Sequence, residues 1–235
     1  GAPPQRRVLH WGRDGETWRL AHAQFSPYLR WDSSIRDFEQ SDAEALPPEG
    51  CVVFIGSSSI RMWKSLGEDF PEVDAINRGF GGSQMIDSVL FAKRIVTPYK
   101  PTAVAVYAGD NDIGRGKDAE RVLRDFRDFV GSIHDELPDA RIGFIAIKPS
   151  LKRWNLWPEM KRANEMVASF AEGDPRIDYL DIATPMLGED GKPRKELFAR
   201  DGLHLNEDGY RVWTEAVTPW VDKTGASKSE LVASE

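Results

Sequence analysis

Short apolar runs recur along the middle of the chain, at 51–55, 73–76, 102–107, 142–147 and 177–180, each bounded by Gly, Pro or charged residues. Short apolar runs of this kind read as buried parallel strands. Between them lie amphipathic stretches near 59–66, 84–96, 118–136 and 159–171, with a last one near 207–221. In the third, Val122, Phe126, Phe129, Val130 and Ile133 recur at helical spacing. Strand then helix, five times over, predicts an α/β domain with a parallel sheet and helices on both faces.

Two regions flank this regular middle. Residues 1–48 contain Trp11, Trp18 and Trp31 and few turn signals before Pro47-Pro48-Glu49-Gly50. Ser34 and Asp37 resemble a capping box, with Ile35 and Phe38 following at helical spacing. The expected organisation is an N-terminal arm over 1–48 packed on the main domain, a main domain over 49–221, and a flexible tail over 222–235.

Composition narrows the function classes. The 235 residues are 40% hydrophobic and 29% charged, ordinary for a globular domain with a real core. The net charge is −7, and no run of Lys or Arg exceeds two residues. That balance gives no pull toward nucleic acid or an anionic membrane surface. The single cysteine, Cys51, excludes an internal disulfide and opens an apolar run, where it reads as a buried strand thiol. No stretch approaches the ~20 apolar residues of a membrane span. No signal peptide is visible, and the chain opens Gly1-Ala2-Pro3 without Met. A cytoplasmic location and an exported one with its signal removed are both compatible with this.

In open α/β sheets, ligands bind beyond the carboxyl ends of the strands. Here those ends are Gly56-Ser57-Ser58-Ser59, Arg78-Gly79-Phe80-Gly81-Gly82-Ser83, Ala108-Gly109-Asp110-Asn111-Asp112, Lys148-Pro149-Ser150, and the segment 181–206. Ser58 sits where a buried strand turns into a helix, a place suited to a nucleophile whose product oxyanion needs N–H donors. Alone, the serine cluster reads equally as a helix cap. Asp201-Gly202-Leu203-His204 puts a carboxylate three residues before an imidazole. Asp201 can then fix the ring tautomer and leave the other nitrogen free to take a proton from a serine. Of the four histidines, His10 and His22 lie in the arm and His134 mid-helix, so only His204 stands on the carboxyl side of a strand. Gly81-Gly82 lets backbone N–H groups approach a ligand, and Asn111 can aim a side-chain amide at the same point. A tight turn and an Asx-turn account for these two in isolation. The joint arrangement carries the argument.

These residues resemble the SGNH hydrolases, also called GDSL-like lipases and esterases. The name-giving four match Ser58, Gly82, Asn111 and His204 in order. The stretches 54–58, 77–82, 109–112 and 201–204 look like the family's four blocks, and the likeness covers about 50–221. It implies a flavodoxin-like three-layer α/β/α sandwich with a five-stranded parallel sheet of order 2-1-3-4-5. It also implies an oxyanion hole made of the Ser58 N–H, the Gly82 N–H and the Asn111 amide. The overall look is close to bacterial esterases related to platelet-activating-factor acetylhydrolase. One departure is Ser57 where the family's Gly-Asp-Ser has Asp. Ser58 is chosen over Ser57 and Ser59 by its spacing from Gly56.

Other motifs fail on inspection. Around Ser58 the second glycine of Gly-x-Ser-x-Gly is Ile60. Gln84 stands where a dinucleotide fingerprint needs its third Gly. Arg115 takes the Gly position of a calcium loop, and no His or Cys pair has zinc spacing. No metal or cofactor is therefore expected. The expected activity is a serine esterase using Ser58, His204 and Asp201 on short acetyl-like esters of small molecules or carbohydrate. A lysophospholipase or thioesterase is the alternative, and a silent binding module on the same fold is the reading from another class. In the loop 148–158, Trp154 is the expected substrate-binding side chain. Phe80 and Trp154 are expected to shorten the acyl pocket.

Overall fold

The computed structural model describes residues 30–229, together with the backbone of 8–14 and 17–24. The expected places of the Trp11 and Trp18 side chains and of residues 1–7 and 230–235 lie outside the described residues. Strands β1 (Val8–Asp14) and β2 (Thr17–Gln24) pair antiparallel as a two-stranded ribbon. Helix α1 (Asp32–Glu44) follows. The main domain then runs β3 (Val52–Gly56), α2 (Ser58–Arg61), α3 (Leu66–Asp69), β4 (Ala75–Gly79), α4 (Met85–Ile95) and β5 (Ala103–Tyr107). It continues with α5 (Asp110–Ile113), α6 (Ala119–His134), β6 (Arg141–Ile145), α7 (Trp157–Ala171), β7 (Ile177–Leu180) and α8 (Glu207–Val221).

The five strands form one parallel sheet of order β4-β3-β5-β6-β7, which within the sheet is 2-1-3-4-5. Alternate residues along each strand feed the two sides. Val53, Ile55, Val104, Val106, Ile142 and Phe144 join one buried cluster with α1, α4, α6 and α7. Val52, Phe54, Ala103, Ala105, Tyr107 and Ile145 join the other with α2, α3 and α8. Both faces are covered, which is why β3 and β5 read as unbroken apolar runs. Together the three layers make an α/β/α sandwich.

Three local expectations are corrected. The second strand of the sheet is 75–79, not 73–76. Its polar residues are satisfied at long range: Asn77 Nδ2 donates to Ile60 O at 2.7 Å and to Trp63 O at 3.3 Å, and Arg78 pairs with Asp42 and Tyr99. The helix expected near 59–66 breaks into α2 and α3 around those two carbonyls. Helix α1 starts at Asp32 after Trp31, so Ser34 lies inside it and makes no capping box.

Helix α1 is fastened to the sandwich by charge as well as by Ile35. Arg94 Nε and Nη2 donate to the two carboxylate oxygens of Glu39, both at 2.7 Å. Hydrogen bonding to that guanidinium holds the Glu39 carboxyl below its ordinary value. At the other end, the tail expected to fray from 222 is held as far as 229. Thr224 is buried, Lys228 N donates to Glu72 O at 2.8 Å, and Ser229 N donates to Asp74 Oδ2 at 2.7 Å. No helix among the described residues is long and apolar enough to cross a membrane.

Candidate active site

The carboxyl end of β3 sets the position of Ser58. Gly56 has φ +145°, and a Cβ there would lie 2.0 Å from Tyr107 O. Only glycine lets the strand turn this close to β5. Ser57 N then donates to Tyr107 O at 3.0 Å, and Ser58 opens α2. Of the three serines, Ser57 and Ser59 are buried, while Ser58 is half-buried. The Ser59 hydroxyl accepts from Lys148 Nζ at 3.1 Å, and its carbonyl accepts from Tyr210 OH at 2.8 Å. The register chosen from sequence therefore places the one accessible hydroxyl of the three at the cleft.

His204 meets it from the loop before α8. The Ser58 hydroxyl donates to His204 Nε2 at 3.0 Å, and His204 Nδ1 donates to Asp201 Oδ2 at 2.6 Å. Asp201 Oδ1 also accepts from Leu203 N and His204 N, both at 3.0 Å. What burial Asp201 has raises its pKa. The two backbone donors and the imidazole outweigh that and hold the carboxyl well below the ordinary carboxylate range. A carboxylate, an imidazole and a hydroxyl stand in line, with the ring tautomer set by the carboxylate. Such a line can move a proton from the hydroxyl to the ring.

The two neighbouring strand ends are tied to each other. Gly82 has φ +80°, a conformation other residues reach only with strain. Buried Asp112 accepts from Met85 N and from Gly109 N, both at 3.1 Å, and from Lys117 Nζ at 2.9 Å. Asn111 donates through Nδ2 to Ser83 O at 3.0 Å. Its Oδ1 accepts from Arg153 Nη2 at 3.2 Å. A guanidinium cannot accept, so this contact fixes which end of the amide is which. The second Nδ2 hydrogen has no partner among the described residues, and Asn111 lines the cleft.

Behind Ser59 lies a charged network that sequence reading missed. Lys148 is buried and donates to Tyr107 OH at 2.9 Å and to Asp110 Oδ2 at 3.0 Å. Asp110 Oδ1 also accepts from Arg153 at 2.6 Å. Burial alone would favour the neutral forms of Lys148 and Asp110. For Lys148 the facing Asp110 carboxylate overrides it and raises the pKa, and for Asp110 the pull of Lys148 and Arg153 overrides it and lowers the pKa. The visible signal was Lys148 and Asp110 at adjacent strand ends.

The Ser58 hydroxyl opens on a cleft of about 540 Å³. Ser58, His204, Gly82 and Asn111 line it, as do Gly81, Leu203 and Arg61. The remaining wall comes from the arm: Arg30, Trp31 and Ser34. Trp31 Nε1 donates to Gly81 O at 2.9 Å, and its ring packs edge-on to Phe80, centroids 6.0 Å apart. Two expectations fail here. Phe80 is fully buried against Trp31 and Phe91, so it cannot shorten the cleft. Trp154 does not line the cleft either. It begins the turn into α7, and its ring stacks on Trp157 with centroids 6.1 Å apart. Trp31 is the indole in the cleft wall.

Removing the Asn111 amide tests its place in the wall. Asn111→Ala is expected to lower kcat by about 10²–10³ while KM changes little, as for a donor aimed at charge present only in the transition state. Steady-state kinetics on a p-nitrophenyl ester decides it, and an unchanged kcat reduces Asn111 to a turn residue.

Similar folds occur in several solved structures. A Streptococcus pneumonia protein described by the name of platelet activating factor is 18% identical, with TM-score 0.73, over 81% of this chain and 92% of that one. A GDSL-like lipase from Bacteroides thetaiotaomicron is also 18% identical, with TM-score 0.71, over 81% and 98%. An acetyl-xylooligosaccharide esterase from Geobacillus is 16% identical, with TM-score 0.59, over 80% and 99%. No curated protein sequence matches the chain. At these identities the likeness speaks for the fold alone. The model of the GDSL-like lipase/acylhydrolase family matches residues 39–212, from the end of α1 into α8 and across every strand end described above. The chain belongs to that family and is a carboxylic ester hydrolase.

Proposed function

We propose that Ser58, His204 and Asp201 act as nucleophile, base and orienting carboxylate in a two-step hydrolysis of short-chain esters. The observation that carries this is the line from Asp201 through His204 to the Ser58 hydroxyl, at the wall of an open cleft. His204 Nε2 takes the hydroxyl proton as Oγ bonds to the ester carbonyl carbon. The charge that develops on the carbonyl oxygen is met by the Ser58 N–H, the Gly82 N–H and the free Asn111 amide hydrogen. The intermediate collapses, the C–O bond breaks, and the alcohol leaves with the proton held by His204. Water then gives a proton to His204 as its oxygen bonds to the acyl carbon, and His204 passes that proton to Ser58 Oγ as the C–Oγ bond breaks and the acid leaves.

The proposed acyl group is acetyl-like. The cleft wall is mostly small, polar or charged: Ser34, Gly81, Gly82, Asn111, Arg30 and Arg61, with Trp31 and Leu203 as its apolar parts. That wall offers little trough for a long chain, and an indole beside polar donors suits a sugar face. The Geobacillus neighbour that acts on acetyl-xylooligosaccharide makes carbohydrate esters a reasonable class to try first. The test is a p-nitrophenyl ester series. Were a trough present, each buried CH₂ would add about 0.8 kcal/mol and kcat/KM would climb with chain length. Acetyl and propionyl esters are expected to be preferred and octanoyl esters poor. An optimum at eight carbons or longer would promote the lysophospholipase or thioesterase reading instead.

A further inference from the structure

The hydrolytic steps above leave the basic residues of the cleft unused. Arg30 and Arg61 both line it beside Ser58 and His204. Arg61 lies against the loop after β4, where a Cβ on Gly81 would stand 2.9 Å from its Nε and 3.5 Å from its Nη2. Arg30 reaches the next residue, its Nη2 lying 3.3 Å from where a Cβ on Gly82 would stand. Arg115 Nη2 is 3.9 Å from the same point and donates to Gly82 O at 3.1 Å. Three guanidinium groups converge on a two-glycine loop.

Many arginines elsewhere in the fold meet carboxylates, among them Arg78 with Asp42, Arg94 with Glu39, Arg141 with Asp178, and Arg153 with Asp110, while the exposed Arg124, Arg127 and Arg200 meet none among the described residues. Among the described residues, Arg30, Arg61 and Arg115 have no such partner, and no Asp or Glu lines the cleft. An adjoining cavity shares Ser34 and Arg61 with the cleft and carries Asp37, with which Arg61 forms no ion pair. The contrast is sharper because the chain carries −7 overall. A cleft lined by one sign of charge concentrates ligands of the other.

We propose that the cleft binds esters whose non-reacting part carries an anionic oxygen group, a carboxylate or a phosphate, held by Arg30 and Arg61 while Ser58 faces the scissile carbonyl. This rests on the esterase reading above and adds the charge of its substrate. A guanidinium fork matches both anions through paired N–H donors, which a lone ammonium does not. Charge complementarity of this kind acts on association and so falls mainly on KM and kcat/KM.

The test compares acetyl esters of one shape: neutral 4-acetoxybenzamide, 4-acetoxybenzoate and 4-acetoxyphenyl phosphate. 4-Nitrophenyl acetate serves as a charge-free measure of hydrolysis. At low salt, kcat/KM for one or both anionic esters is expected to exceed that of the amide by about tenfold, and the advantage should shrink as salt screens it. Which anion leads tells a carboxylate-bearing substrate from a phosphate-bearing one. In Arg30→Gln/Arg61→Gln the ratio of anionic to neutral kcat/KM is expected to fall to about one, and in Arg61→Glu below one. A wild-type ratio of one or less for both anions, or an intact ratio in the double variant, overturns the inference. Turnover of 4-nitrophenyl acetate without charge preference overturns this inference alone. No turnover of any of the four esters overturns the esterase reading and this inference with it.

Discussion

Ser58→Ala is expected to lower kcat for p-nitrophenyl acetate by about 10⁶, because a nucleophile acting as one unit with its base takes most of the catalysis with it. Neither neighbour can replace it. Ser57 and Ser59 are both buried, and the Ser59 hydroxyl is engaged by Lys148. The substitution leaves no buried donor or acceptor orphaned, since the Ser58 hydroxyl bonds only His204, which is itself partly open to solvent. Thermal unfolding should therefore match the parent protein, which separates loss of chemistry from loss of fold. Full activity in Ser58→Ala, with loss in Ser57→Ala, would shift the proposed nucleophile by one residue.

Much of this architecture is legible in the chain because a parallel sheet covered on both faces needs continuous apolar strands. Val52–Gly56 and Ala103–Tyr107 announce themselves that way. The site is legible for a related reason. Ser58 sits two residues beyond the first of these runs and Asn111 four beyond the second, and Asp201 and His204 are close enough in sequence to meet in one turn. What stayed hidden depends on distant partners. Strand β4 carries Asn77 and Arg78, polar residues made acceptable by Ile60 O, Trp63 O, Asp42 and Tyr99, none of them near in sequence. The cleft wall supplied by Trp31 depends on where α1 docks, which Glu39 and Asp42 decide through Arg94 and Arg78. The loop after β6 points to Trp154 as a site residue because it follows a strand end. The direction of its ring is set by stacking on Trp157, and no local pattern encodes that.

Asp201→Asn is the sharper probe of the proposed proton path, because it changes a proton's address while keeping the shape. The new amide oxygen can still accept from Leu203 N and His204 N, as Oδ1 does at 3.0 Å in each case, so the turn should persist. The amide nitrogen then faces His204 Nδ1 and donates to it. The ring proton is driven to Nε2, which can no longer accept from the Ser58 hydroxyl. A loss in kcat on the order of 10⁴ is expected from this tautomer change, with KM little altered. The pH profile of the parent protein supplies an independent check. A carboxyl held below its ordinary value keeps its charge as pH falls, and gives it up only on passing its own lowered pKa. Asp201 should thus stay ionised through the range where an ordinary carboxyl takes up its proton. Log kcat/KM should therefore show no carboxylate step at about pH 4, the ordinary value. Such a step would mean that the carboxyl titrates as a free one, and that Asp201 is not the fixed anchor the backbone donors make it.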